Sequence, residues 1–212
     1  MYKFYEVEIR IVGRICGGVP KHTDIIKAWV EARTGFDDEK AQKIIEETTA
    51  KMAAEKIGDE KAMKAWTGFK SDGGGLYVEA RQVNAMLKES GNILKGIKGS
   101  APVIAIRNLK ARMAERVFVE PDHIYLGVSE PDGFEEQTIR VITPRGPRSA
   151  IKRFDFVKAP TLGFVLRVLD DGLITAEVLD KVLEHAQHLG IGANRSQGFG
   201  KFEALRFEEV ER

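Results

Sequence analysis

An α+β fold is the class this sequence predicts, on three observations. Several stretches alternate apolar and polar residues with the period of a half-buried strand. Helical stretches, with apolar residues three and four apart, fall between them. The last third runs strand, helix, glycine-rich loop, strand, a β-α-β element suited to helices packed on an antiparallel sheet. The ferredoxin-like βαββαβ order accommodates this succession.

The elements follow in order. Residues 2–15 alternate Tyr2, Phe4, Val7, Ile9 and Ile11 with charged residues and predict a long first strand. Gly13, Gly17, Gly18 and Pro20 then break the chain. Two helices are expected at 23–34 and 37–57, the second opened by Asp37, Asp38 and Glu39, with a further turn at 59–67. They predict a helical insertion over 21–68, leaving 1–20 and 69–212 as the core domain. After the break at 71–75, residues 76–78 predict a short strand and 80–90 a helix. Residues 91–99 carry three glycines and predict a mobile segment. Residues 102–116 fit either a helix or a hairpin. Strands are expected at 115–119, 123–127, 138–143, 152–157 and 161–169, with an acidic turn at 130–136 and a basic loop at 144–148. Thr175 is placed to cap a helix over 175–188, and a strand begins at Lys201.

Residues 189–202 carry the strongest signal. Gly190, Gly192, Gly198 and Gly200 bracket Asn194, Arg195, Ser196 and Gln197. Glycine reaches positive φ and close approach that a Cβ forbids. Such a loop can turn backbone amides toward an anion, and Arg195 would add a forked cation. The alternative is a helix-to-strand turn whose glycines only permit tight packing. Neither phosphate-loop fingerprint fits: no Gly-Lys-Ser/Thr follows, and the loop follows a helix rather than a strand.

The order helix, Gly-Ile-Gly, Arg-Ser, Gly-Phe-Gly, strand resembles the glycine-rich loop of the CRISPR-associated RAMP superfamily, RNA-binding proteins with RRM-like, ferredoxin-like folds. Residues 76–89 resemble the strand-turn-helix of its backbone subunits, and residues 154–169 the strand pair before the last helix. Where the family usually has a Pro-Gly-Ser-Ser-Leu-Lys-Gly-like entry, this chain has Glu79, Ala80, Arg81 and Gln82, a departure. The resemblance covers roughly residues 1–15 and 76–210. It implies an RRM-like sheet that binds single-stranded RNA, often as a repeated subunit along a guide RNA.

Composition bounds the alternatives. The chain has 212 residues, is 43% hydrophobic and contains one cysteine, Cys16. That excludes a disordered chain and an internal disulfide framework. No run of about 18 apolar residues is present, so no membrane partner is expected. The single cysteine and the alternating start point to a cytoplasmic protein. The net charge is only +1, so nucleic-acid binding would rest on local charge. Arg140, Arg145, Arg148, Lys152 and Arg153 form one acid-free segment; Arg107, Lys110, Arg112 and Arg116 form another basic cluster. Either is also compatible with an ordinary solvated face.

RNA binding by such a fold uses rings for bases and cations for phosphates. The ring candidates are Phe4, Tyr77, Tyr125, Phe154 and Phe199. The polar candidates are Arg14 and Lys21 after the first strand; Arg81, Gln82 and Lys88 on the central helix; and Arg145, Arg148 and Arg153 in the basic segment. In the loop they are Gly192, Asn194, Arg195, Ser196, Gln197 and Gly198, with Arg195 ranked first. For RNA cleavage without metal, His22 is the candidate general acid or base, with Asp24 to orient it. The RAMP resemblance also implies Asp24 as a cleaving aspartate in its own right, since some backbone subunits cut target RNA with an aspartate in this loop. Asp24 serves equally as a helix cap. His185 and His188 lie one turn apart, with Glu184 as a possible third ligand, but lack further ligands. They read as a helix face, and no metal or cofactor is called for. Cys16 reads as a small buried side chain, and His123 receives no role.

Three functions follow. The first is a guide-RNA-binding backbone subunit of a ribonucleoprotein, partnered by copies of itself and by other effector subunits. The second is a metal-independent endoribonuclease. The third is a viral or stand-alone assembly or inhibitor protein, which the low net charge and the atypical residues 79–82 favour.

Overall fold

Strand alternation and helix periodicity meet in a sheet whose inner face is apolar at every second residue. The computed structural model describes residues 1–21, 66–95, 97, 103, 106–143 and 146–212. Its strands are β1 (Tyr2–Ile11), β2 (Arg14–Cys16), β3 (Val19–Pro20), β4 (Trp66–Gly68), β5 (Lys70–Asp72), β6 (Gly75–Glu79), β7 (Val117–Glu120), β8 (His123–Tyr125), β9 (Gly133–Thr143), β10 (Gly146–Lys158), β11 (Thr161–Leu169) and β12 (Phe202–Val210). The helices are α1 (Ala80–Leu94), α2 (Leu109–Arg116) and α3 (Ala176–Leu189). The chain falls into two units. The first is Met1–Cys16, Phe69–Asp132 and Phe156–Arg212; the second is Gly17–Gly68 and Gly133–Asp155.

In the first unit, four antiparallel strands lie in the order β12-β1-β11-β7. Counted along the chain, that is 4-1-3-2. α1 comes between the first two of these strands, and α3 between the last two. This is the α+β, ferredoxin-like and RRM-like arrangement. Tyr5, Val7, Ile9 and Ile11 are buried, as period-two alternation demands of a strand with one covered face. Val83, Met86 and Leu87 of α1 and Val178, Leu179, Val182 and Leu183 of α3 join the same core. Their spacing of three and four places them on one side of each helix. The Ser90 hydroxyl donates to the Val182 carbonyl at 2.7 Å, a buried tie between α1 and α3. Thr175 caps α3, its Oγ1 accepting from the Val178 amide at 3.3 Å. A smaller sheet, β5-β6-β8, buries Leu76, Val78 and Ile124.

In the second unit, β3 pairs antiparallel with β4, and β4 runs parallel to β10, with Arg153 beside Trp66. β9 pairs with β10, which ends in the first unit, where Phe156–Lys158 pairs with β2.

Several boundaries move. The expected strand 2–15 stops at Ile11, because Gly13 takes φ 80° and separates β1 from β2. Trp66–Gly68 is a strand, not the end of a helical turn at 59–67, because it gains two strand partners distant in sequence. The acidic turn at 130–136 gives way to β9 from Gly133, paired with β10. α1 continues through Gly91 to Leu94, whose burial outweighs a helical glycine's cost. Residues 115 and 116 finish α2 before β7 begins. The helices expected at 23–34 and 37–57 lie outside the described residues, as do His22 and Asp24. No helix among the described residues is long and apolar enough to cross a membrane.

Candidate nucleic-acid interface

The glycine-rich loop is built by its own short contacts. α3 ends at Gly190, and the Ile191 amide donates to the Gly200 carbonyl at 2.9 Å. The Gly200 amide donates to the Arg14 carbonyl at 2.8 Å, and the Ala193 amide to the Cys16 carbonyl at 2.9 Å. A Cβ on Gly200 would lie 1.8 Å from the Ile191 oxygen, and one on Gly192 would lie 2.9 Å from the Cys16 oxygen. Both glycines therefore permit close packing against β2 and within the loop. Between them, Arg195–Gln197 forms a 3-10 turn flanked by Asn194 and Gly198 at positive φ. Gly198 is different: a Cβ there would meet nothing within 4 Å. It forms an exposed tip with Ser196 and Gln197.

Arg195 does not extend from that tip. Its guanidinium pairs with Glu89 of α1 at 2.8 Å. The cation beside the loop is instead shared by two rings. The Arg14 guanidinium lies 4.9 Å from the centre of Phe156 and 5.4 Å from that of Phe199. Lys158 reaches the edge of this cluster, 6.0 Å from Phe156. Docking of β2 on the end of β10 and of the loop on β2 brings the three chain segments together.

α1 carries three further candidates. Arg81 is exposed and bonded to Glu79, which also accepts from Lys70 at 2.9 Å. Burial pushes the Glu79 carboxyl up, but Arg81 and Lys70 outweigh it and hold the group below its ordinary range. Gln82 is half-buried. Lys88 lines a groove of about 340 Å³ between α1 and α2, with Lys95, Lys110, Asn92 and Asn108.

The second unit gathers Lys21 and Arg153 on one indole. Each cation lies 4.8 Å from the centre of the Trp66 ring. Beneath them is Asp155, only 2% exposed. It accepts from Trp66 Nε1 at 2.7 Å and pairs with Lys21 Nζ at 2.7 Å. Arg153 also covers Phe134 at 4.2 Å and pairs with Glu136. Arg145 lies outside the described residues, as does the side chain of Arg148.

Phe154, a stacking candidate, is instead fully buried, because its place in β10 turns it inward. Phe4 is half-buried on β1, and Cys16 is buried on β2. His185 and His188 share α3 at half-buried and exposed positions; among the described residues no group of three or more ligating side chains could hold a metal. Asp155, Trp66, Phe134 and Lys158 escaped the sequence reading. Asp155 carried a usable signal: an acid between Phe154 and Phe156 in an alternating strand must find a partner if its side chain turns inward. The other three carried none beyond composition.

Fold and surface together define an α+β protein with a ferredoxin-like sheet and clusters of cations laid on aromatic rings. No protein-family model matches the chain, and no curated protein matches it. A solved chain from "Cryo-EM structure of the Type III-B Cmr-beta bound to cognate target RNA" is similar at 15% identity and TM-score 0.45. The similarity covers 99% of this chain and 61% of that one, so this chain spans about three fifths of that neighbour's length. A likeness of that degree carries no argument about function.

Proposed function

We propose that this chain binds single-stranded RNA through the surface formed by Arg14, Phe199, Lys158 and the loop tip at Ser196–Gly198, with Arg14 laid on the buried ring of Phe156. The observation that carries the reading is Arg14 lying over two rings next to that exposed tip. A guanidinium stacked on rings is weakly hydrated, and its planar fork matches the geometry of phosphate oxygens. Half-buried Phe199 supplies apolar surface of the kind on which bases stack in sequence-tolerant binding. The resemblance of the glycine-rich loop to that of the RAMP superfamily supports a guide RNA as the ligand. It also supports copies of this chain and other effector subunits as partners. With a net charge of +1, affinity would come from these local cations rather than from the field of the whole molecule.

Fluorescence anisotropy with a short single-stranded RNA at two salt concentrations tests the proposal. The parent protein is expected to bind more tightly at low salt. Arg14→Glu is expected to weaken binding about tenfold and to reduce the salt slope by roughly 1. No binding by the parent at low salt, or unchanged binding by the variant, overturns it.

A further inference from the structure

The small sheet β5-β6-β8 turns its apolar side chains inward and leaves a polar, aromatic outer face. Register places Lys70 opposite Tyr77, Tyr77 opposite Tyr125, and Glu79 opposite His123. Directly opposed side chains share a face of a sheet, so all of these stand on the outer side, while Val78 and Ile124 are buried between them in sequence.

Two rings on this face are already stacked. The Tyr77 and His123 centroids are 4.0 Å apart, with an angle of 18° between their planes. Tyr125 stands edge-on to both, 6.1 Å from Tyr77 and 6.5 Å from His123. Asp72, on the same face, ties the arrangement together. Its Oδ1 accepts from the Gly74 amide at 2.8 Å. Its Oδ2 meets His123 Nδ1 at 2.8 Å and accepts from the Tyr125 hydroxyl at 3.2 Å. A carboxylate only accepts, so Nδ1 carries the proton and the imidazole is fixed in one plane. A Cβ at Gly74 would fall 2.5 Å from the Tyr125 ring, so that ring also rests against the backbone. Three aromatic side chains are thus held in place before any ligand arrives.

The outermost ring of the stack is open. The His123 side chain is 45% exposed, although one of its faces rests on Tyr77 and one edge on Asp72. Tyr125 is 41% exposed. Beside them Glu79 pairs with both Arg81 and Lys70, so the charges at this end of the face are balanced and the open rings are its main binding feature. A rigid, exposed, flat ring suits a planar heteroaromatic ligand.

We infer that this face is a nucleobase-stacking subsite: one base of a single-stranded RNA lies on His123 and extends the Tyr77–His123 column by a third ring. The inference rests on the RNA-binding reading above but uses different residues from those of the Arg14 surface.

The test uses the full chain and a short RNA with one 2-aminopurine, measured by anisotropy and by fluorescence quenching. The parent protein is expected to quench the 2-aminopurine on binding. His123→Ala is expected to abolish most of that quenching and to weaken binding about tenfold, the usual scale for one lost base–aromatic stack. His123→Phe removes the bond to Asp72 but keeps a flat ring, so it is expected to restore quenching. That rescue separates stacking from a structural role of the imidazole–carboxylate bond. If the parent binds RNA and His123→Ala binds and quenches equally well, the subsite is wrong while the Arg14 surface stands. If quenching is lost but Phe does not restore it, stacking is again excluded. If the parent binds no RNA at low salt, both readings fall.

Discussion

Arg14 and Lys21 begin alike and end differently. Both follow the first strand, and both lie over aromatic rings. Lys21 is held by the buried carboxylate of Asp155, which also takes the Trp66 N–H. Arg14 rests on Phe156 and Phe199 beside an exposed loop tip. A cation over a ring that is also neutralised by a buried acid serves the interior, because leaving that acid would strand a charge. A guanidinium laid on rings beside an exposed loop tip presents the planar fork that matches a phosphate. The lesson is that a basic residue near a ring is not yet a phosphate site. A buried acid that also holds it, as Asp155 holds Lys21, ties it to the interior.

Two substitutions break this comparison outright. Gly200→Ala forces a Cβ against the Ile191 carbonyl at φ 73°. It is expected to cost about 4 kcal/mol of stability by combining overpacking with backbone strain. Urea denaturation followed by circular dichroism measures this, and a loss below about 1 kcal/mol would show that the loop does not depend on the close approach. Asp155→Ala leaves Lys21 and the Trp66 N–H without their acceptor. It is expected to cost about 3 kcal/mol in the same assay. If instead RNA affinity falls with stability unchanged, Lys21 belongs with Arg14 after all.

Two smaller effects sharpen it. Arg14→Glu, at about tenfold in affinity, should cost about 1 kcal/mol of stability, because it removes the cation from two rings. Glu89→Ala releases Arg195 from an exposed ion pair, whose stability contribution is about 0.5 kcal/mol or less. RNA affinity is then expected to rise up to about threefold by anisotropy, since the released pair is worth only a few tenths of a kcal/mol. Unchanged or weaker binding would remove Arg195 from the interface and leave Arg14 as its cation.

The difference between these regions also explains what could be read in advance. The alternation of Val7, Ile9 and Ile11 and the Thr175 cap are local, and their physics acts within a few residues. The glycine loop was legible for the same reason, since positive φ and missing Cβ atoms are written in residue type. Its purpose was less legible. Gly192 and Gly200 serve tight packing, and Gly198 alone stands open. Arg195 ranked first in the sequence but is occupied by Glu89, 106 residues away along the chain. The indole that gathers Lys21 and Arg153 belongs to a strand where a helical turn was expected. His123 received no role until β6 and β8 paired and set its ring on Tyr77.

Residue order by itself determined that the chain is α+β, where α3 begins, and that a glycine loop follows it. Hydrogen-bonding capacity and hydrophobic periodicity are properties of short stretches, so they survive without knowledge of the rest. Only tertiary structure decided the 4-1-3-2 strand order, the burial of Asp155, and which rings and acids each cation meets. Those outcomes depend on pairing between distant segments. The free energy of such pairing lies in water excluded and partners met, and no local pattern records which partner that will be.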